Sequence, residues 1–260
     1  MHLAFLLLMA SSYHRVFVFG DSYSDTGAGY VDGNGPTAVA YMAEGLHAPL
    51  LAANDPRAVA GSSLNFAVSG AGTGKGSGRK TGDALLGLGM ENQVEDFVER
   101  VKEGRVRFKA AETLFYIAGG LNDRGLESVE TVRNLEARIR ALYAVGARHF
   151  ALAILPTEIP AFREVGVRLN PFLAKIPEQM RREFPKLDIR LSQWGRYFDE
   201  VLRHPADYGI VNTKDACAGR AIFKEDATPC KTPDTYYYYH AGHPSTAVHK
   251  VVGGKLLGEL

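Results

Sequence analysis

The chain alternates between short apolar runs of strand-forming residues and longer stretches in which apolar residues recur at helical spacing. Val16-Phe17-Val18-Phe19 is the first such run; Leu64 to Val68, Leu114 to Ala118, His149 to Leu155 and Leu187 to Leu191 follow. Continuous β-branched and aromatic runs, without polar alternation, suit strands buried on both faces. In the gaps, Pro36 can open a helix in which Ala38, Val39, Tyr41, Met42 and Leu46 share a face. Glu91 to Val101 places Val94, Phe97, Val98 and Val101 at helical spacing, and Val129 to Val145 does so with Val132, Leu135, Ile139, Leu142 and Tyr143. Val165 to Phe184 carries Leu169, Phe172, Leu173, Ile176 and Met180, but Pro171 and Pro177 interrupt it, which predicts a kinked or two-piece helix. Another helix begins at Ser192-Gln193-Trp194-Gly195, with Tyr197, Phe198, Val201 and Leu202 as its apolar stripe. The last follows Pro244, with Val248, Val251, Val252, Leu256 and Leu257 facing inward and His249 on the solvated face. Strands alternating with helices across short turns predict an α/β protein, a three-layer α/β/α sandwich around a central parallel sheet.

With 260 residues and 46% hydrophobic composition, the chain can bury one substantial core, so residues 13–260 read as a single domain. Thirty basic and 29 acidic residues give a formal charge of +1, and the basic residues are scattered. No charge field therefore calls for nucleic acid or an anionic membrane. The glycine-rich stretch 70–78 is too short for a domain linker, and there is no internal repeat. Residues 1–12 combine an apolar stretch with small residues, as a secretory signal peptide does, though without a Lys or Arg ahead of it. A truncated start or an N-terminal buried strand is the alternative. The stretch is too short to span a bilayer, so no transmembrane segment is expected.

The first strand-like run breaks at Gly20-Asp21-Ser22 and presents a serine at the strand's carboxyl end, where open α/β sheets place their sites. Alone, the same residues also suit a helix cap or a turn. Three more segments stand at strand-like ends or before the last helix: Asn65-Phe66-Ala67-Val68-Ser69-Gly70-Ala71-Gly72, Gly119-Gly120-Leu121-Asn122-Asp123 and His240-Ala241-Gly242-His243-Pro244-Ser245. Together with Gly20-Asp21-Ser22, in this order, they resemble the GDSL, or SGNH, hydrolase family, over most of the chain from Val16 onward. The resemblance implies the flavodoxin-like SGNH fold and a GDSL-type esterase or lipase that cleaves carboxylic esters through an acyl-serine. It implies no metal and no organic cofactor. The substrate would be a small-molecule, lipid or saccharide ester, acted on by a monomeric, secreted or periplasmic enzyme. Two alternatives remain: an acyltransferase using the same acyl-serine, and a catalytically impaired SGNH-fold protein that binds carbohydrate or a surface.

A serine hydroxyl needs a base within hydrogen-bond reach, and among eight histidines His243 matches the family's base. Residue-for-residue carry-over assigns the oxyanion donors to the backbone N–H of Ser22, the N–H of Gly70 and the side chain of Asn122; Gly72 shares the Gly70 turn. The chain departs from the family at position 240, where His240 stands in place of the aspartate of the Asp-x-x-His block. Three accounts are open. His240 orients His243, a backbone carbonyl or a remote acid such as Asp215, Asp226 or Asp234 does, or the pair works as a dyad. Asp21, Asp25 and Asp123 read as turn or network residues.

The segment around Gly74-Lys75 invites comparison with a phosphate-binding loop, but such a loop needs glycine at 69 and Ser or Thr at 76, where this chain has Ser69 and Gly76. Cys217 and Cys230 can close a disulfide in an exported enzyme or stay as two thiols in a reducing compartment, and they lack the companions of a zinc site.

Overall fold

The computed structural model describes residues 13–260, so the leader-like residues 1–12 lie outside the described residues. Strand β1 (Arg15–Gly20) leads to helix α1 (Ala38–Gly45), then β2 (Leu50–Ala52), β3 (Ser63–Asn65), the pair β4 (Ser77–Thr81) and β5 (Ala84–Leu88), and α2 (Met90–Lys102). Next come β6 (Thr113–Ala118), α3 (Ser128–Ala144), β7 (His149–Ala153), α4 (Arg163–Leu173), α5 (Ile176–Glu183), β8 (Asp188–Ser192) and α6 (Trp194–Arg203). The chain ends with β9 (Asn212–Ala216), β10 (Tyr236–His240), β11 (His243–Pro244) and α7 (Thr246–Leu257).

Six strands form one parallel sheet in the order β2-β3-β1-β6-β7-β8. β1 pairs with β6 from Arg15↔Thr113 to Gly20↔Ala118, and on its other side Phe17 and Val18 meet Leu64 and Asn65 of β3. Helices α1, α6 and α7 pack with one another as one layer, and α2 to α5 pack among themselves as the other. The two layers bury both faces of β1: Val16, Phe17, Val18 and Phe19 are all solvent-free. Phe17 and Phe19 meet Phe97 of α2 at ring distances of 4.8 and 5.6 Å, which explains the uninterrupted apolar run. The expected α/β/α sandwich is present. After β1 the chain turns to β2 and β3 on one side, and it later resumes at β6 on the other. The crevice between the carboxyl ends of β1 and β6 is thus a switch point of the kind where such sheets bind ligands.

Several elements differ from the sequence expectation. The run Leu64 to Val68 leaves the strand after Asn65, although Phe66 and Val68 still donate to Val18 and Gly20 carbonyls of β1. The glycine-rich stretch 70–78 runs into a two-stranded antiparallel hairpin, β4 with β5, whose half-exposed strands show no clear apolar periodicity. Pro171 lies inside α4, near its end, and the break falls instead between Leu173 and Ile176, with Pro177 in the first turn of α5. The small sheet β11-β10-β9 has no counterpart in the apolar pattern. His249 is not solvated. It is buried, its Nδ1 accepts the backbone N–H of Ala38 at 3.1 Å, and burial lowers its pKa to about 3.

Candidate active site

The serine turn is built from the end of β1. A Cβ on Gly20 would meet the Ala118 carbonyl at 2.7 Å, so only glycine lets the strand end this close to β6. Gln93 of α2 clamps the same residue, accepting from Gly20 N at 3.0 Å and donating to Gly20 O at 2.9 Å. Beyond it, Ser24 and Asp25 N–H groups return to the Asp21 carbonyl, and Tyr23 N donates to Asp21 Oδ1. This tight turn leaves the Ser22 N–H with no protein acceptor among the described residues.

The three carboxylates read as network residues hold loops. Asp21 is buried, and burial pushes its carboxyl up to about 7 against the Tyr23 N–H. Asp25 accepts from the N–H groups of Gly27, Gly29 and Ser69, tying the serine loop to the turn after β3; burial raises it to about 6. Asp123 accepts from Thr73 N, Thr73 Oγ1 and Thr131 Oγ1.

His243 arrives from the other end of the chain. Gly242, at φ +74°, turns β10 back into β11, and Ser245 caps α7 directly afterwards through the Val248 N–H. The imidazole packs on Tyr23, ring to ring at 5.4 Å, while the Tyr23 hydroxyl donates to the Gly242 carbonyl at 2.7 Å. His243 Nε2 lies 2.8 Å from Ser22 Oγ. Its Nδ1 lies 3.2 Å from the Ala241 carbonyl and 2.7 Å from Arg220 Nη2. Burial depresses the ring's pKa, Asp32 works in the opposite direction, and Arg220 and His240 add to the depression. The net shift is downward, so the ring is neutral at pH 7 and able to accept a proton.

His240 does not hydrogen-bond to the His243 ring through Nδ1. That atom instead meets Asp32 Oδ1 at 2.8 Å, where Arg220 Nε also binds at 2.9 Å, while Asp32 Oδ2 lies 3.3 Å from His243 Nε2. The acids weighed from sequence lie elsewhere on exposed chain, where Asp215 accepts from the Asn212 amide and Asp226 from Thr228 N. Asp32 and Arg220 are the residues that sequence reasoning missed. Asp32 belongs to the glycine-rich loop after the serine turn, which Asn34 fastens to the start of α7 by accepting the Thr246 N–H at 2.8 Å. Arg220 belongs to the loop closed by the Cys217–Cys230 disulfide, which is formed in the structure. A cluster of three glycines around Asp32 and the nearby cysteine pair were the available signals, and neither carries a spacing that points to His243.

Gly70 follows β3 at φ +78°, a backbone that favours glycine, and its N–H has no protein acceptor among the described residues. Asn122 follows β6, and its Nδ2 donates to the Ala71 carbonyl at 3.0 Å, which fixes the amide plane. Ser22, Gly70, Asn122 and His243 line one cavity of about 270 Å³; Gly72 is not in its lining. Arg79 and Leu86 of the unanticipated hairpin, Phe162, Phe223, Asp32 and Arg220 also line it. Among the described residues no cluster of His, Cys, Asp or Glu is placed to hold a metal ion, and no helix is long and apolar enough to cross a membrane.

Residues 16–256 match the family model described as GDSL-like Lipase/Acylhydrolase. The GDSL esterase/lipase EXL6 of Arabidopsis thaliana is 24% identical, over 96% of this chain and 92% of that protein. The thermolabile hemolysin of Vibrio parahaemolyticus is 28% identical over 94% of this chain, which spans 63% of the hemolysin's length. Among solved structures, a putative lipolytic protein of the G-D-S-L family from Desulfitobacterium hafniense aligns with a TM-score of 0.49 and 12% identity, over 95% of this chain and 99% of that one.

Proposed function

The chain belongs to the GDSL-like lipase/acylhydrolase family and is an ester-hydrolysing enzyme, and we propose that it works through an acyl-serine formed on Ser22. The observation that carries this reading is the 2.8 Å approach of Ser22 Oγ to His243 Nε2 in a cavity that Gly70 and Asn122 also line. In the productive tautomer Nε2 is bare and takes the serine proton as Oγ attacks the ester carbonyl. His243 Nδ1–H then donates to the Ala241 carbonyl, which requires Arg220 Nη2, a donor only and 2.7 Å from Nδ1, to swing off the ring while keeping its own bond to that carbonyl. The tetrahedral oxyanion is met by the N–H groups of Ser22 and Gly70 and by the Asn122 amide. His243 then returns the proton to the leaving alkoxide. In the second half, it takes a proton from water as the oxygen attacks the acyl-serine carbonyl, and when the tetrahedral intermediate collapses it gives that proton to Ser22 Oγ, releasing the carboxylic acid and the free serine.

The disulfide fits an oxidising compartment, so a secreted or periplasmic location is part of the same reading, which takes the enzyme as a monomer. The test is hydrolysis of p-nitrophenyl acetate and octanoate by the enzyme beside Ser22→Ala. Loss of turnover in the variant and a steady-state preference between the two esters support the reading and report the chain length accepted. Undiminished turnover in Ser22→Ala overturns it. Diversion of the acyl group from water to an added alcohol makes the enzyme an acyltransferase.

A further inference from the structure

We propose that Asp32 is the positioning carboxylate of this site, supplying to His243 the negative charge that the family's aspartate provides from position 240. The inference rests on Ser22 and His243 being nucleophile and base. The two oxygens of Asp32 have different partners. Oδ1 is held by His240 Nδ1 at 2.8 Å and Arg220 Nε at 2.9 Å, and Oδ2 is left to face His243 Nε2 at 3.3 Å. The side chains of Asp32, His240 and His243 are only 7%, 6% and 13% exposed, so a carboxylate here is retained in its charged form by its partners rather than by water. Burial works to raise the Asp32 carboxyl, but the His240 hydrogen bond, His243 and Arg220 outweigh it and leave it below its ordinary range.

The arrangement divides one aspartate's work between two groups. In the usual triad a carboxylate at Nδ1 both fixes the tautomer and stabilises the imidazolium. Here the Ala241 carbonyl and the Arg220 guanidinium stand at Nδ1, and Asp32 stands beside the nitrogen that receives the serine proton. When that proton moves, the positive ring forms next to a full negative charge in a partly dry site, where the attraction is weakly screened. His240 then has a definite task that its position in the chain conceals: it holds the acid, not the base. The loop geometry supports this placement, because the Asn34 bond to Thr246 N anchors the Asp32 loop to the helix that follows His243. The charged and titratable groups facing His243 are Asp32, Arg220 and His240, with Tyr23 under the ring, His249 beyond it, and Arg79 and Arg124 on the cavity wall.

The experiment is the pH dependence of kcat/KM and kcat for p-nitrophenyl acetate, from about pH 5 to about pH 9, with the full chain and its Asp32→Asn, Asp32→Glu, Arg220→Gln and Ser22→Ala variants. Asp32→Asn should lower the plateau kcat by about 10²-fold or more with little change in KM, and should move the acid limb to lower pH, because the charge that favours protonated His243 is gone. Asp32→Glu should recover part of the rate and return the limb toward wild type. Arg220→Gln removes a neighbouring positive charge and should move the limb the other way; if Asp32→Asn fails to fold, Asp32→Ser, which removes the charge and keeps a small polar group, reads the same plateau and limb. An Asp32→Asn enzyme with the wild-type plateau and limb, or a loss equal at every pH that Glu does not relieve, overturns the proposal. Activity retained in Ser22→Ala overturns the nucleophile assignment instead, so the two failures are distinguishable.

Discussion

His249 Nδ1 accepts the backbone N–H of Ala38 at 3.1 Å, across 211 residues of sequence. The bond joins the first turn of α1 to the first turn of α7, the helix that follows His243. Among the rings of Tyr23 and Phe198, His249 is buried and its pKa is lowered to about 3. The unfolded chain gains a proton at this histidine below its ordinary value of 6.5, and the folded chain does not until about pH 3. Its contribution to stability is therefore lost progressively as pH falls between those values. His249→Asn, which keeps an acceptor but cannot titrate, should flatten that acid loss; His249→Ala should cost about 1–3 kcal/mol at neutral pH for the unpaired N–H alone. Urea unfolding of the three proteins across the range measures both. The differences between variants are the readout, because Asp21 and Asp25, with raised carboxyls, give the wild-type curve an opposite slope. An Asn variant with the wild-type slope would remove His249 from the account.

Ser22 and His243 make one proton-transfer unit in the proposed mechanism, so removing either should remove the function of both. Ser22→Ala and His243→Ala should each lose most esterase activity, and the double variant should be scarcely slower than the single ones. Losses that multiply would show two independent contributions and would separate the residues.

Asn122 is pinned to the Ala71 carbonyl before any substrate arrives, which is the preorganisation an oxyanion donor needs. Asn122→Ala should lower kcat by about 10²- to 10³-fold with KM nearly unchanged. A change confined to KM would reassign the amide to ground-state binding.

The parts of the fold legible in the sequence are those whose burial is extreme. β1, β6 and β7 lie between two helical layers, so nearly every residue must be apolar, and the run itself announces the strand. β4 and β5 have mixed exposure and a glycine at each φ-positive position, Gly78 and Gly87, which erases the period-two signal. The site divides in the same way. Ser22, Gly70, Asn122 and His243 stand beside glycines at strand ends or in a short turn, where local sequence marks the chain's direction. Asp32 and Arg220 reach the site on long loops set by distant fastenings: no local pattern encodes Asn34 to Thr246, and the cysteine pair, though legible, does not say that its loop turns Arg220 toward His243. His249 misleads for a related reason: polarity suggests solvent, but an unpaired N–H at the α1 terminus makes a buried acceptor the better solution.

The disulfide closes the loop that carries Arg220, in which Gly219 N bonds Asp226 O and Arg220 N bonds Glu225 Oε2. Restricting a loop of that size in the unfolded chain stabilises the fold by roughly 3 kcal/mol. Cys217→Ser with Cys230→Ser should lower the thermal midpoint by several degrees, roughly 2–4 °C for each kcal/mol lost. Intact mass should rise by about 2 Da on reduction of the wild type, as the bond takes up two hydrogens. Two freely alkylated thiols in protein from an oxidising compartment would contradict the bridge.

The sharpest discrimination comes from His240→Asp, the substitution that restores the family's residue. If His240 acted on His243 directly, a carboxylate there would stabilise the protonated ring and preserve or raise kcat. The structure places His240 against Asp32 instead, at 2.8 Å from Oδ1. An aspartate at 240 would bring a second buried negative charge toward the first and remove a donor that holds it, leaving Arg220 as the remaining partner of Oδ1. One of the two carboxyls would then hold a proton to higher pH than Asp32 does now, and the activity would gain a new ionisation. kcat should fall, and the fall should deepen as the Asp32 pairing is disturbed, whereas His240→Asn, which keeps a neutral donor at the same place, should retain more of the rate. The full pH profiles of the two variants check this. A His240→Asp enzyme faster than wild type across the profile would return the orienting role to position 240 and take it from Asp32.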